Sequence, residues 1–271
     1  MRRAVLERFV SIAEGGFPGA VRGNLRTKGV GRLAARLTAC TAALLAVTGA
    51  VAAPAVPYPR MATVDAYLMD RAQEIALARS AAPESISKDA TVLVLTRTGY
   101  ETAATGTNGF VCWVARSFSG APDWVERWNP KVRAAACENP QAARTVTAIA
   151  TLRTAMTLAG RTDAEVADRV RAALRSKEIP PLAAGAMCYM MSKSSYLSDD
   201  GGHDMAHLMF YIPSRDGASW GANAPGSPVL GGNYWFYTAE HQAEAAALPP
   251  LSVLLVGVPT WSDGTPAIHP M

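Results

Sequence analysis

Residues 199 to 207 run Asp-Asp-Gly-Gly-His-Asp-Met-Ala-His, and no other stretch gathers as many groups able to move a proton or hold a cation. Two of the four histidines stand here, four positions apart, with carboxylates at Asp199, Asp200 and Asp204. If the segment turns, His203 and His207 share a face. Imidazole beside carboxylate suits zinc or a similar divalent ion, with His203, His207, Asp199 and Asp200 as the expected ligands. A divalent ion is the one cofactor the sequence suggests. Without a metal, His203 or His207 would act as general base or ligand donor, with Asp204 as a further catalytic candidate. The competing reading is a tight turn, with Asp and Gly chosen for backbone conformation and His207 hydrogen-bonded at a strand start.

Other groups carry less. Gly217-Ala218-Ser219-Trp220-Gly221 has the G-x-S-x-G spacing of a nucleophile elbow, which works only at a sharp turn from strand to helix. The following Ala222-Asn223-Ala224-Pro225-Gly226-Ser227-Pro228 is no helix, and Asp263 and His269 follow too near the end for their order to mean much. His241 and Glu244 share a helical face without a second histidine. Tyr234 to Tyr237 form an aromatic run that either lines a pocket or packs a loop down. Cys188 lies in an apolar run without a basic neighbour and reads as a buried thiol.

Charge excludes one class of partner. Of 26 basic and 22 acidic residues, eight and two fall within residues 1–53, leaving 18 and 20, a net charge of −2. The pI near 9.0 therefore belongs to the leader. A domain that neutralises phosphates needs a surplus of cations, so nucleic acid is not an expected partner. Arg22, Arg26, Lys28, Arg32 and Arg36 precede an uncharged run from Leu37 to Ala53 that ends in small residues before Pro54. That order is the order of a signal peptide. The alternative is a retained anchor, although a run of about 17 residues rich in Ala and Thr is short for a bilayer span. Residues 1–53 are thus expected to be a leader and 54–271 a single domain, periplasmic or extracellular. The membrane is a partner only through an uncleaved leader; a small-molecule ligand is the other partner class.

Export permits a disulfide. Cys112 and Cys137 are the preferred pair, because both flank one loop while Cys188 sits in an apolar run. Three cysteines leave the pairing open.

The elements that must hold these groups follow from periodicity. Hydrophobic residues make up 49% and charged residues 18%, enough apolar material for a core. Val64, Leu68, Ala72 and Ile75 predict a helix over 62–79. Runs at 91–96, 100–105 and 110–116, separated by Arg97-Thr98-Gly99 and Thr107-Asn108-Gly109, predict a three-stranded antiparallel meander. Residues 117–138 read as a loop over one sheet edge. Asn139-Pro140 and the capping box Thr162-x-x-Glu165 open the two helices of a hairpin. Strands are expected at 186–192, 207–212 and 252–258, with a long loop over 213–250 that holds a short helix at 238–247. The expected fold is α+β: an antiparallel sheet of five or six strands, with the helical hairpin and the N-terminal helix packed on one face.

Several stretches resemble a family of exported bacterial proteins: Gly106 to Cys112 (GTNGFVC), Met187 to Lys193 (MCYMMSK), Tyr196 to Asp199, and His207 to Tyr211 (HLMFY). Trp220 to Asn223 (WGAN), Pro225 to Pro228 (PGSP) and Trp261 to Thr265 add to the likeness, which spans most of the chain beyond the leader. The resemblance implies export and no particular activity. Family members often carry a Trp-x-Pro-His segment before the Leu-Met-Phe strand, and here Asp204-Met205-Ala206 stands there instead, which counts against catalysis by the histidines. A binding domain with its polar site at Asp199–His207 is the leading functional expectation. A hydrolase using the same cluster and a structural or partner-binding envelope protein are the alternatives.

Overall fold

A computed structural model describes residues 57–120, 126–199, 205–213, 217–233 and 252–267. The leader, the candidate residues Asp200, His203 and Asp204, the aromatic run 234–237, His241, Glu244, His269 and the helix expected over 238–247 lie outside the described residues.

The α+β class holds, but the sheet is larger than expected and mixed. Its eight strands are β1 (Thr91–Leu95), β2 (Tyr100–Ala104), β3 (Val111–Ala115), β4 (Ala134–Glu138), β5 (Met187–Met190), β6 (His207–Ile212), β7 (Val229–Asn233) and β8 (Ser252–Gly257). They lie in the order β2-β1-β3-β4-β5-β6-β8-β7. All neighbours are antiparallel except β1 and β3, which are parallel.

That parallel pair replaces the expected meander. Thr96 N donates to Gly99 O at 2.8 Å and closes the expected β1–β2 hairpin. After β2 the chain does not turn back beside it. It crosses beneath the start of β1, where Gly106 N meets Thr91 Oγ1 at 3.0 Å and Thr107 N meets Asp89 O at 2.8 Å. A Cβ on Gly106 would lie 2.2 Å from the Ala90 carbonyl carbon, so only glycine can make this crossing. Asn108-Gly109, at φ +79° on the glycine, is a corner and no hairpin turn. It delivers β3 to the far side of β1.

Two strands lie outside the expected pattern. β4 (AAACE) is buried along its whole length in the middle of the sheet, so it shows no alternation of apolar and polar residues. β7 (VLGGN) sits at an edge inside the long Gly/Pro segment. There a Cβ on Gly231 would come 2.6 Å from that of Ala222.

The helices cover both faces of the sheet, which corrects the one-face expectation. The hairpin consists of α3 (Pro140–Ala142), a π-turn (Ala143–Thr147), α4 (Ala148–Leu158) and α5 (Asp163–Arg175). Val146, Ile149, Ala150, Val170 and Ala173 pack with Trp113, Ala134, Ala136, Cys188, Met190, Met209 and Tyr211 on one face. The alternate residues of the same strands, Cys112, Val114, Ala135 and Cys137, face Ala78, Ala81 and Ala82 at the end of α1 (Arg71–Arg79) on the other. Small alanines on β4 let both layers approach closely. The long N-terminal helix is broken into a 3-10 turn (Val64–Tyr67) and α1, because Asp70 caps a new start by accepting from Ala72 N and Gln73 N at 3.0 Å each. A four-residue helix, α2 (Glu84–Ser87), leads into β1.

Candidate functional site

The sheet end where β3, β5 and β8 finish and β4 and β6 begin carries the predicted polar site. Arg133 and Tyr196 form an isolated bridge, with Arg133 N to Tyr196 O at 2.8 Å and Tyr196 N to Arg133 O at 2.9 Å. This bridge brings the segment after β5 back beside the start of β4 and sets Asp199 against the turn at 126–131.

Asp199 is a knot of four donors. Its carboxylate accepts from Lys131 Nζ at 2.8 Å, from Asn129 Nδ2 at 3.4 Å, and from the hydroxyls of Tyr196 and Tyr58. Its own amide donates to Glu126 Oε1 at 3.2 Å. Glu126 and Asn129 are buried beneath it, joined by Asn129 Nδ2 to Glu126 Oε2 at 2.7 Å. The Lys131 ammonium, then the two phenols, hold the Asp199 carboxyl well below the usual carboxylate range. The same contacts raise Lys131 above its ordinary value and push Tyr196 up to about 12. These donors favour the charged form of Asp199. Asp199 ties the N-terminal arm (residues 57–60, with Tyr58), the 126–131 turn and the segment leading to residues 200–204 into one unit. A carboxyl held so far into its charged form is a weak proton acceptor and a poor proton donor near neutrality.

His207 opens β6 on the face beneath the helical hairpin and is 3% exposed. Its Nδ1 lies 3.0 Å from Met205 O, which makes Nδ1–H a donor to that carbonyl. Asp199 and His207 share an end of the sheet, but none of the four donors on Asp199 is His207. Of the four expected metal ligands, the described residues hold only these two. Among the described residues no group of three or more His, Cys, Asp or Glu is placed to hold a metal ion.

The G-x-S-x-G stretch forms a 3-10 turn (Ala218–Trp220) ended by Gly221 at φ +70°, between β6 and β7. No helix follows it, so the nucleophile elbow is absent there. Asp263 is engaged by Lys193 and by Thr265 Oγ1 at 2.6 Å. An open groove of about 540 Å³ runs between Thr96–Glu101 and the outer side of α4. Its two carboxylates are already paired, Glu101 with Arg71 and Glu178 with Arg169, each at 2.5 Å.

Cys112 and Cys137 stand opposite each other on β3 and β4 and are joined by a disulfide, while Cys188 is a buried free thiol. A disulfide belongs with an oxidising compartment. Among the described residues no helix is long and apolar enough to cross a membrane.

Sequence reasoning misses Tyr58 and Lys131 as partners of Asp199 because they come from distant segments, and it misses Tyr196, three residues before Asp199, because no regular element predicts their contact. It also misses Glu138, a carboxyl buried in the core, because its strand reads as loop. Together these features define a disulfide-bonded α+β domain with a polar knot at one end of a mixed sheet. Comparison with protein-family models, curated proteins and solved structures finds no match.

Proposed function

We propose that this chain is an exported binding domain whose ligand site lies at the sheet end around Asp199–His207 and takes a small polar molecule or a divalent cation. The observation that carries this reading is the Asp199 knot. Four donors and one buried acceptor fix the point from which residues 200–204, with His203 and Asp204, depart. A rigid base beside the binding residues is how such residues are held in place. The likeness to exported bacterial proteins and the disulfide both belong with this reading. Hydrolysis draws less support, because the Asp199 oxygens are engaged by four donors.

The test is a thermal-shift and calorimetric titration of the purified protein against divalent cations and a panel of small polar compounds. His203→Ala and Asp204→Asn should abolish a saturable shift without lowering the melting temperature of the free protein. His207→Ala should lower the melting temperature itself. If no cation or compound shifts the wild type, or if both loop variants bind as it does, the site is only a turn.

A further inference from the structure

Glu138 ends β4 on the face covered by the helical hairpin and is 2% exposed. Its Oε2 accepts the indole N–H of Trp113 at 2.6 Å. Around it lie Cys188, directly opposite on β5, Tyr211 of β6, and Thr147 of the π-turn, whose buried hydroxyl has no hydrogen-bond partner among the described residues. Cys188 and Tyr211 are the titratable groups facing it, and neither brings a positive charge. Of the arginines on the covering helices, Arg144 lies with Pro140 O at 3.2 Å, Arg153 with Gly120 O at 3.4 Å, Arg169 with Glu178 at 2.5 Å and Arg171 with Asp168, and Arg175 is exposed. No ion pair reaches Glu138 among the described residues. The helix above it departs from α geometry over this one stretch, Ala143–Thr147, where the ladder widens to π.

A neutral carboxyl fits this setting as a packed, hydrogen-bonded group. A carboxylate does not, because a buried charge without a counter-ion is costly wherever water is excluded. We propose that Glu138 is a pH-dependent latch between the sheet and the π-turn, closed while it holds its proton and loosened when charged. The loosening governs access to the Cys188 thiol.

Burial pushes the Glu138 carboxyl from 4.5 up to about 7. In an opened layer that meets water, the carboxyl returns to its ordinary range. Below that range both forms are protonated and pH has no effect. Between it and about 7 the closed form is penalised increasingly, and above that value the penalty is constant. The opening equilibrium therefore rises with pH and then levels off. Burial, and then the neighbouring Glu138, raise the Cys188 thiol well above its usual value, so the closed protein presents no thiolate.

The experiment measures alkylation of Cys188 by N-ethylmaleimide in the purified, disulfide-intact full chain, with mass spectrometry separating Cys188 from Cys40. Each rate is divided by that of the urea-unfolded chain at the same pH, which removes the intrinsic titration of the thiol. The ratio should rise about a hundredfold from pH 4.5 to pH 7.5 and level off above, since raising a carboxyl's pKa by one on burial alters the opening equilibrium about tenfold. In Glu138→Gln it should change less than about threefold over the same span. A flat ratio in the wild type, or an equal rise in the variant, overturns the proposal. Should the variant not fold, infrared difference spectra of the wild type decide. A protonated-carboxyl band that disappears in step with Cys188 labelling supports the latch, and labelling that rises without such a loss overturns it.

Discussion

The guanidinium of Arg116 lies 2.9 Å from the carboxylate of Glu74, and the two side chains are 0% and 1% exposed. The pair joins α1 to the end of β3. Arg116 Nε also donates to Tyr67 O at 2.8 Å, and Glu74 accepts from Leu95 N at 3.0 Å, so each partner is held by backbone as well. Breaking a buried pair leaves an uncompensated charge, whereas replacing both partners does not. Glu74→Leu should destabilise the fold by about 3–5 kcal/mol. The double variant Glu74→Leu/Arg116→Met should recover a good part of that loss. Urea unfolding of both variants checks this, and a double variant no more stable than the single one would contradict it.

The features legible in sequence are those with local causes. The capping box at Thr162 and Glu165 forms as its spacing predicts, with Thr162 N to Glu165 Oε2 at 2.8 Å and Glu165 N to Thr162 Oγ1 at 3.3 Å. Asn139 caps its helix by accepting from Ala142 N at 3.0 Å. The failures have distant causes. The Asn108-Gly109 corner is set by Asp89 and Ile86 lying under it, where Asn108 Nδ2 reaches Ile86 O at 2.7 Å, and no local propensity encodes that. β4 is an alanine run because two helical layers press on it, and a strand buried on both faces loses the alternation that marks one. Of the polar site, Asp199 is legible by its acidity and Tyr196 is its near neighbour in the chain, but Tyr58 and Lys131 are distant in sequence and only the fold brings them to it.

The disulfide closes a loop with a sequence separation of 25. In the loop-entropy account a loop of this size contributes about 3 kcal/mol through the unfolded chain. Cys112→Ala/Cys137→Ala should lose about that much in urea unfolding while keeping Cys188 protected. Both bridging residues are 0% exposed, so reductant should act on the wild type only as fast as the sheet opens. Immediate reduction in native buffer would contradict the burial.

Asp199→Asn removes the charge that holds the N-terminal arm. The folded carboxyl lies below its ordinary range, so its contribution is present above the unfolded value and is lost only as pH falls through the folded one. The arm should therefore stay docked through neutral and mildly acidic pH in the wild type and be released in Asp199→Asn at every pH. Arg60 stands in this arm two residues from Tyr58. Limited trypsin digestion should cut after Arg60 markedly faster in Asp199→Asn than in wild type, with Tyr58→Phe in between. Equal cutting in all three would show that the knot does not hold the arm.

Glu138 gives a stability prediction whose sign is opposite to that of Asp199. A carboxyl raised on folding weakens the fold once pH exceeds its unfolded value, because the native state must then either keep a proton against the solution or bury a charge. With the folded value near 7 and the ordinary value 4.5, the penalty is absent at pH 4 and complete by pH 8. Glu138→Gln keeps an oxygen for the Trp113 indole and cannot ionise, but its amide adds two donors to a site with few acceptors. The variant should accordingly be no more stable than wild type at pH 4 and about 1–3 kcal/mol more stable at pH 8. Urea midpoints at the two pH values test the difference directly. The comparison is between chains that share every other titrating group, so acid effects at Asp199 and elsewhere cancel. A variant that tracks the wild type at both values would mean that the buried carboxyl is relieved by a partner, and the row from Trp113 through Glu138 to Cys188 would then have no part in how the fold responds to pH.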